Sequence, residues 1–180
     1  MLKWLIRSRL AAYEKKFNYD MNYARDILAA DTKAFFAFAK VMKLGAYRRD
    51  VPKDVYWAAK LVGVLSEDCG PCTQLVVTLA LADGIDPKLM ASLVAGDEAA
   101  LAEPVKLGVA FAKAAIAHDV AADDLRDDIT KRWGPRALVA IAFAITEARI
   151  YPMLKYALGH GKTCQRVVVA GTTVAVVRAA

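Results

Sequence analysis

Apolar residues recur at helical spacing through most of the chain, and five prolines punctuate the pattern. Pro52, Pro71, Pro87, Pro104 and Pro135 each stand just before an apolar-periodic segment. That is the first-turn position, where a missing backbone N–H costs nothing, so five helices are predicted to start there. Between Pro52 and Leu65, the residues Trp57, Leu61, Val64 and Leu65 define one buried face. After Pro71, the residues Cys72, Leu75, Val76 and Leu79 fall on a single stripe, which turns Cys72 toward apolar packing and leaves Cys69 in the preceding turn. Val105, Val109, Ala112 and Ile116 form the face of a further helix. Leu138, Ile141, Ile145 and Ala148 line a long one, which Pro152 is expected to kink or break.

Polar punctuation completes the outline. Asp86 and Asp123 are placed to cap helices, and Asp31 to cap one running through Phe35, Phe36 and Phe38 to Gly45. Gly84 and Gly134 mark helix ends. The tail from Gln165 is rich in valine and threonine, which suits extended structure, but it lacks an Asn-Gly hairpin turn. It is expected to pack on a neighbouring subunit. The expected fold is all-α, an orthogonal helix bundle in one domain spanning 1–180, with a basic amphipathic arm over about 1–20, a core over about 21–160 and a short irregular or extended tail over 161–180.

Composition narrows the function classes. The chain is 57% hydrophobic and 24% charged, typical of a domain with one packed core. The longest uncharged apolar stretches, Val167 to Val177 and Ala137 to Thr146, fall short of the roughly 18 to 20 residues needed to cross a bilayer, so no membrane span is expected. Arg7 and Arg9 interrupt the first apolar residues before a signal-peptide core can form, which points to the cytoplasm. The net charge of +6 is spread along the helices. Its tight groups, Arg48-Arg49 and Lys131-Arg132, adjoin acids, and no basic-aromatic interleaving suggests nucleic acid.

The chemistry centres on Cys69-Gly70-Pro71-Cys72. Four readings apply. A thioredoxin fold has the same tetrad, but it needs a strand leading into it, and Val55 to Leu65 has helical period. A zinc site would need Cys164, His160 or His118 to complete a tetrahedron. All three cysteines are also compatible with plain burial, the reading adopted for Cys164. The fourth reading is a dithiol redox site, in which a helix N-terminus favours the thiolate by about 0.3–1 kcal/mol. The adjacent carboxylates of Glu67 and Asp68 oppose that effect; Glu67 is a candidate site residue and equally a solvated turn residue. Lys60, Tyr56 and Glu67 are the nearest candidate bases by sequence. His118 and His160 sit where dipole-complementing and turn residues are common.

The run Ser66-Glu67-Asp68-Cys69-Gly70-Pro71-Cys72-Thr73-Gln74 between two amphipathic helices resembles the carboxymuconolactone decarboxylase and alkyl hydroperoxidase D superfamily. The resemblance is clearest from about Pro52 to Leu81, with support from the Tyr151 to His160 segment. It implies an all-α homo-oligomer (dimer, trimer or hexamer) with a redox-active disulfide and no other cofactor or metal. Cys72 would be the peroxidatic thiol, attacking a peroxide or disulfide substrate, and Cys69 the resolving thiol. An electron donor, unidentified, would then restore the dithiol.

The hydroperoxidases carry a glutamate and two histidines where this chain has Trp57, Pro71 and Val76, none of which moves a proton. The alternatives are a non-catalytic or small-molecule-binding member of the same fold, its cysteines kept for packing, and lactone decarboxylation. The latter needs a positioned acid or base that the matching region lacks.

Overall fold

The computed structural model describes residues 1–163 and 166–177. Its helices run in the order α1 (Leu2–Phe17), α2 (Asn22–Ala30), α3 (Thr32–Ala39), α4 (Met42–Gly45), α5 (Lys53–Leu65), α6 (Gly70–Ala82), α7 (Pro87–Ala95), α8 (Glu103–Ala117), α9 (Ala122–Trp133) and α10 (Pro135–Ala157). A two-stranded antiparallel sheet, β1 (Arg166–Val169) and β2 (Thr172–Ala175), follows.

The five prolines behave as local rules dictate. Pro52 is the N-cap of α5, and the other four lie in the first turns of α6, α7, α8 and α10. Asp31 and Asp86 cap α3 and α7, each carboxylate accepting a backbone N–H at 2.8 Å. Asp123 lies inside the first turn of α9 and is not its cap; Asp119 accepts the Ala121 N–H just ahead of that helix at 2.9 Å. The helix capped by Asp31 stops at Ala39, and a turn separates it from α4.

Helix α5 is the axis of the fold. Every residue from Val55 to Val64 is buried, not one face alone, because α10 and α8 pack along it and α6 and α7 also touch it. The closest approach is at Gly63, where a Cβ would lie 2.9 Å from the Ile145 carbonyl oxygen of α10. A second cluster joins Ile6 and Leu10 of α1 to Tyr19, Tyr23, Ala24 and Leu28. The N-terminal segment is helical, as α1, and meets this cluster through Ile6 and Leu10.

Helix α10 continues through Pro152 to Ala157 without breaking. Proline removes one N–H and leaves the carbonyl four residues earlier without its helical donor. Pro152 and Lys155 are both buried, and that packing holds the turn in place. By length and composition alone, α10 is long and apolar enough to cross a membrane; here it packs against α5, α9, α4 and α8.

The tail forms a hairpin with Ala170-Gly171 as its two-residue loop, since Val169 pairs with Thr172. Both loop residues have positive φ, 46° and 85°, as a turn matching the strand twist requires. Val167 and Val169 turn inward, and the hairpin lies on α6 and α7 of its own chain.

Candidate redox site

The tetrad forms the start of α6. Cys69 is the N-cap in extended conformation, preceded by Asp68 at φ 49°. Thr73 donates both its N–H (2.9 Å) and its hydroxyl (3.0 Å) to the Cys69 carbonyl, closing the first turn. Residues three apart on a helix share a side, so the two sulfurs meet and form a disulfide with a Cα separation of 5.3 Å.

Distant segments hold this turn. The Gly70 N–H donates to the Lys162 carbonyl at 3.0 Å, and the Tyr156 hydroxyl donates to the Asp68 carbonyl at 2.9 Å. Arg149 Nε donates to Glu67 at 2.6 Å. One turn further along α6, the Gln74 amide brackets Val168 of β1, donating to its carbonyl at 2.9 Å and accepting from its N–H at 2.7 Å.

The two cysteines differ in access. Cys69 is fully buried and lies off the adjoining cavity; Cys72, 4% exposed, lines it together with Leu75, Val76 and Leu79 of the same stripe. The cavity measures about 670 Å³ and has a mainly apolar wall. Its other sides come from α1, α2 and the segment leading to α5, and from Lys60, Glu147 and Tyr151.

The polar lining combines the phenols of Tyr13, Tyr19, Tyr23 and Tyr151 with the charged Arg9, Arg48, Lys60 and Glu147. The Tyr19 hydroxyl lies 3.7 Å from Cys72 Sγ, and the Lys155 ammonium sits over the Tyr19 ring at 4.6 Å and the Tyr23 ring at 5.3 Å. Burial, reinforced by neighbouring phenols, pushes Tyr19 well above the ordinary range, and burial takes Tyr23 up to about 12. Tyr151 and Tyr13 are raised by burial and then by the charge of Glu147. These hydroxyls stay protonated, so they act as hydrogen-bond donors and not as bases. Burial lowers the pKa of Lys155, with Asp20 opposing the shift.

Glu147 and Lys60 form a buried ion pair on the cavity wall. Lys60 Nζ lies 2.6 Å from Glu147 Oε2, and the side chains are 9% and 7% exposed respectively. The ammonium approaches off the hydrogen-bonding direction, so Oε2 has charge compensation but no well-directed donor among the described residues. The carboxylate rests on α4 at Gly45, where a Cβ would come within 2.9 Å of its Cδ.

The candidates chosen from sequence separate clearly. Cys69 and Cys72 are bonded, and Lys60 faces the cavity that Cys72 lines. Glu67 is tied to Arg149 and lies off the cavity lining. The Tyr56 hydroxyl donates to the Gly45 carbonyl at 2.6 Å, and Trp57 Nε1 donates to Asp83 at 2.8 Å. His160 pairs with Asp26 at 2.8 Å, and His118 is the exposed C-cap of α8. Cys164 lies outside the described residues. Among the described residues, no three His, Cys, Asp or Glu side chains gather in a metal-binding arrangement.

Glu147 and the tyrosines went unread in the sequence. Glu147 carried a signal, since it falls on the buried stripe with Ala144, Ala148 and Tyr151, where a charge needs a partner. Compared with known proteins, the chain matches no family model, no curated protein and no solved structure.

Proposed function

We propose that this protein is a thiol-dependent oxidoreductase that cycles Cys69 and Cys72 between dithiol and disulfide, on a helical scaffold of the alkyl hydroperoxidase D type. The observation that carries this reading is the asymmetry of the pair: Cys72 lies on the cavity wall beside the Tyr19 hydroxyl, and Cys69 is sealed behind it. A substrate entering the cavity reaches Cys72 first. Its thiolate attacks the terminal oxygen of a hydroperoxide, breaking the O–O bond and giving a sulfenic acid and an alcohol once the leaving alkoxide takes a proton. The Cys69 thiol then displaces hydroxide from that sulfur, forming the disulfide and water, and an external dithiol restores the pair. Exposed Leu2, Trp4 and Leu5 on α1 support self-association through that helix.

The test is a thiol titration of the reduced protein with cumene hydroperoxide and hydrogen peroxide, followed by peptide mapping. Loss of two thiols without gain of oxygen mass is expected for the wild type. Cys69→Ser should stop at a sulfenic acid trapped by dimedone, and Cys72→Ser should not react. Retention of both thiols under excess peroxide refutes the peroxidase cycle. The size and apolar wall of the cavity favour a second reading, a small-molecule-binding scaffold with packing cysteines. Serine at both positions abolishing all activity in a folded protein counts against it.

A further inference from the structure

A buried cation with no acid beside it stands close to the redox pair. Lys155 is 2% exposed and, among the described residues, forms no ion pair. Its ammonium rests instead on two aromatic faces, 4.6 Å from the centre of the Tyr19 ring and 5.3 Å from that of Tyr23. Tyr19, itself 5% exposed, brings its hydroxyl within 3.7 Å of Cys72 Sγ. A sulfur held in a disulfide carries no hydrogen, so the hydroxyl is the donor. Cation, ring and sulfur come together from α10, the link between α1 and α2, and α6.

We infer that Tyr19 is a catalytic residue that holds Cys72 as the thiolate in the reduced protein, and that Lys155 is a positioning residue that strengthens its hydrogen bond. This inference rests on the dithiol reading of the site. Once the disulfide is reduced, the Cys72 thiol ionises and its proton leaves to solvent through the cavity. The Tyr19 O–H then points at a charged sulfur, a stronger bond than one to a neutral acceptor, and Tyr19 keeps its own proton. A cation over the ring face draws electron density from the phenol, which makes the hydroxyl a better donor.

The other charges around Cys72 are compensated or exposed. At the cavity, Lys60 pairs with Glu147 at 2.6 Å and Arg48 with Asp83 at 2.9 Å, while Arg9 is exposed. In the turn ahead of α6, Glu67 pairs with Arg149 at 2.6 Å and Asp68 stands next to it, half-buried. Arg166 of β1 is exposed. The remaining phenols at the cavity, Tyr13, Tyr23 and Tyr151, are neutral. Asp20 and Lys162 act on Lys155 in opposite senses.

The experiment reduces the full-length protein and follows alkylation of Cys72 by iodoacetamide against pH, read on the Cys72 peptide by mass spectrometry. The thiolate is the nucleophile, so the midpoint reports ionisation of that one sulfur. Tyr19→Phe keeps the ring under Lys155 and removes only the hydroxyl. It should raise the midpoint by about one pH unit and slow closure of the disulfide by cumene hydroperoxide at pH 7 by up to about ten-fold. Lys155→Met should raise the midpoint by about half a unit, and by less in the Tyr19→Phe background, because its effect runs through the hydroxyl. Lys155→Gln, which keeps a polar end, repeats the measurement independently.

An unmoved midpoint in folded Tyr19→Phe overturns the assignment, since lost packing alone would slow closure without shifting it. Equal shifts from the Lys155 variants with and without the hydroxyl overturn the part given to Lys155. A wild type inert to hydroperoxide whose midpoint still rises on Tyr19→Phe removes the peroxidase cycle and leaves the thiolate-holding role standing. A working peroxidase with an unmoved midpoint does the reverse.

Discussion

Removing one member of the Lys60–Glu147 pair should cost far more than removing both. At 2.6 Å and an effective dielectric near 20, the attraction between the charges is about 6 kcal/mol. Withdrawing each ion from water costs several kcal/mol, so the intact pair is close to neutral for stability. Breaking it leaves a bare charge between α5 and α10, in side chains only 9% and 7% exposed. Lys60→Met and Glu147→Gln should therefore each destabilise by about 3–5 kcal/mol, and the double variant by no more than about 1–2 kcal/mol. At roughly 2–4 °C per kcal/mol for a chain of this size, each single variant should lose about 6–20 °C in Tm. Urea and thermal denaturation at pH 7 would measure the cycle, and because the pair is buried the result should barely change between low and high salt. Single variants each costing under about 1 kcal/mol, or a double variant costing their sum, would refute the coupling.

Three further outcomes are expected. The Trp57 indole N–H, with help from Lys53 and Arg48, holds the Asp83 carboxyl below its usual range. Its stabilisation is then present above the unfolded value near pH 4 and lost as pH falls through the lower folded value, so Asp83→Asn should cost about 1–2 kcal/mol at pH 7 and progressively less as pH falls below about 4, by urea midpoint. Gly63→Ala should destabilise by about 1–3 kcal/mol by forcing α5 away from the Ile145 carbonyl, and unchanged stability would show that the crossing has slack. Ala170→Asn should raise stability by about 0.5–1 kcal/mol, because asparagine tolerates the positive φ that alanine is forced to adopt there.

What could be read in advance depended on how local each rule is. Proline at a first turn and aspartate at a cap act within four residues, so the starts of α3, α5, α6, α7, α8 and α10 were legible from the letters alone. The Cys72 stripe was legible for the same reason, and it lines the cavity. Pro152 failed as a breaker because burial around it, a tertiary effect, outweighs one lost hydrogen bond. The hairpin was missed because Ala170-Gly171 meets the turn's backbone demand without the usual asparagine. The polar wall was missed because Tyr19 and Glu147 join Cys72 at one cavity only through folding, from segments with no period in common with α6. The charges of Lys60 and Glu147 inside apolar runs were the available clue, and each explains the other.

The double clasp between Gln74 and Val168 joins residues 94 apart in sequence. During synthesis the two cysteines emerge long before β1, so the dithiol spends that interval without the strand that will pin its helix. Any disulfide formed then closes on an unfinished site, open to exchange with other thiols. The finished surroundings of the tetrad draw on Tyr19 near one end of the chain and on the hairpin near the other. Shortening either end should therefore alter redox behaviour at the centre before it alters helix content.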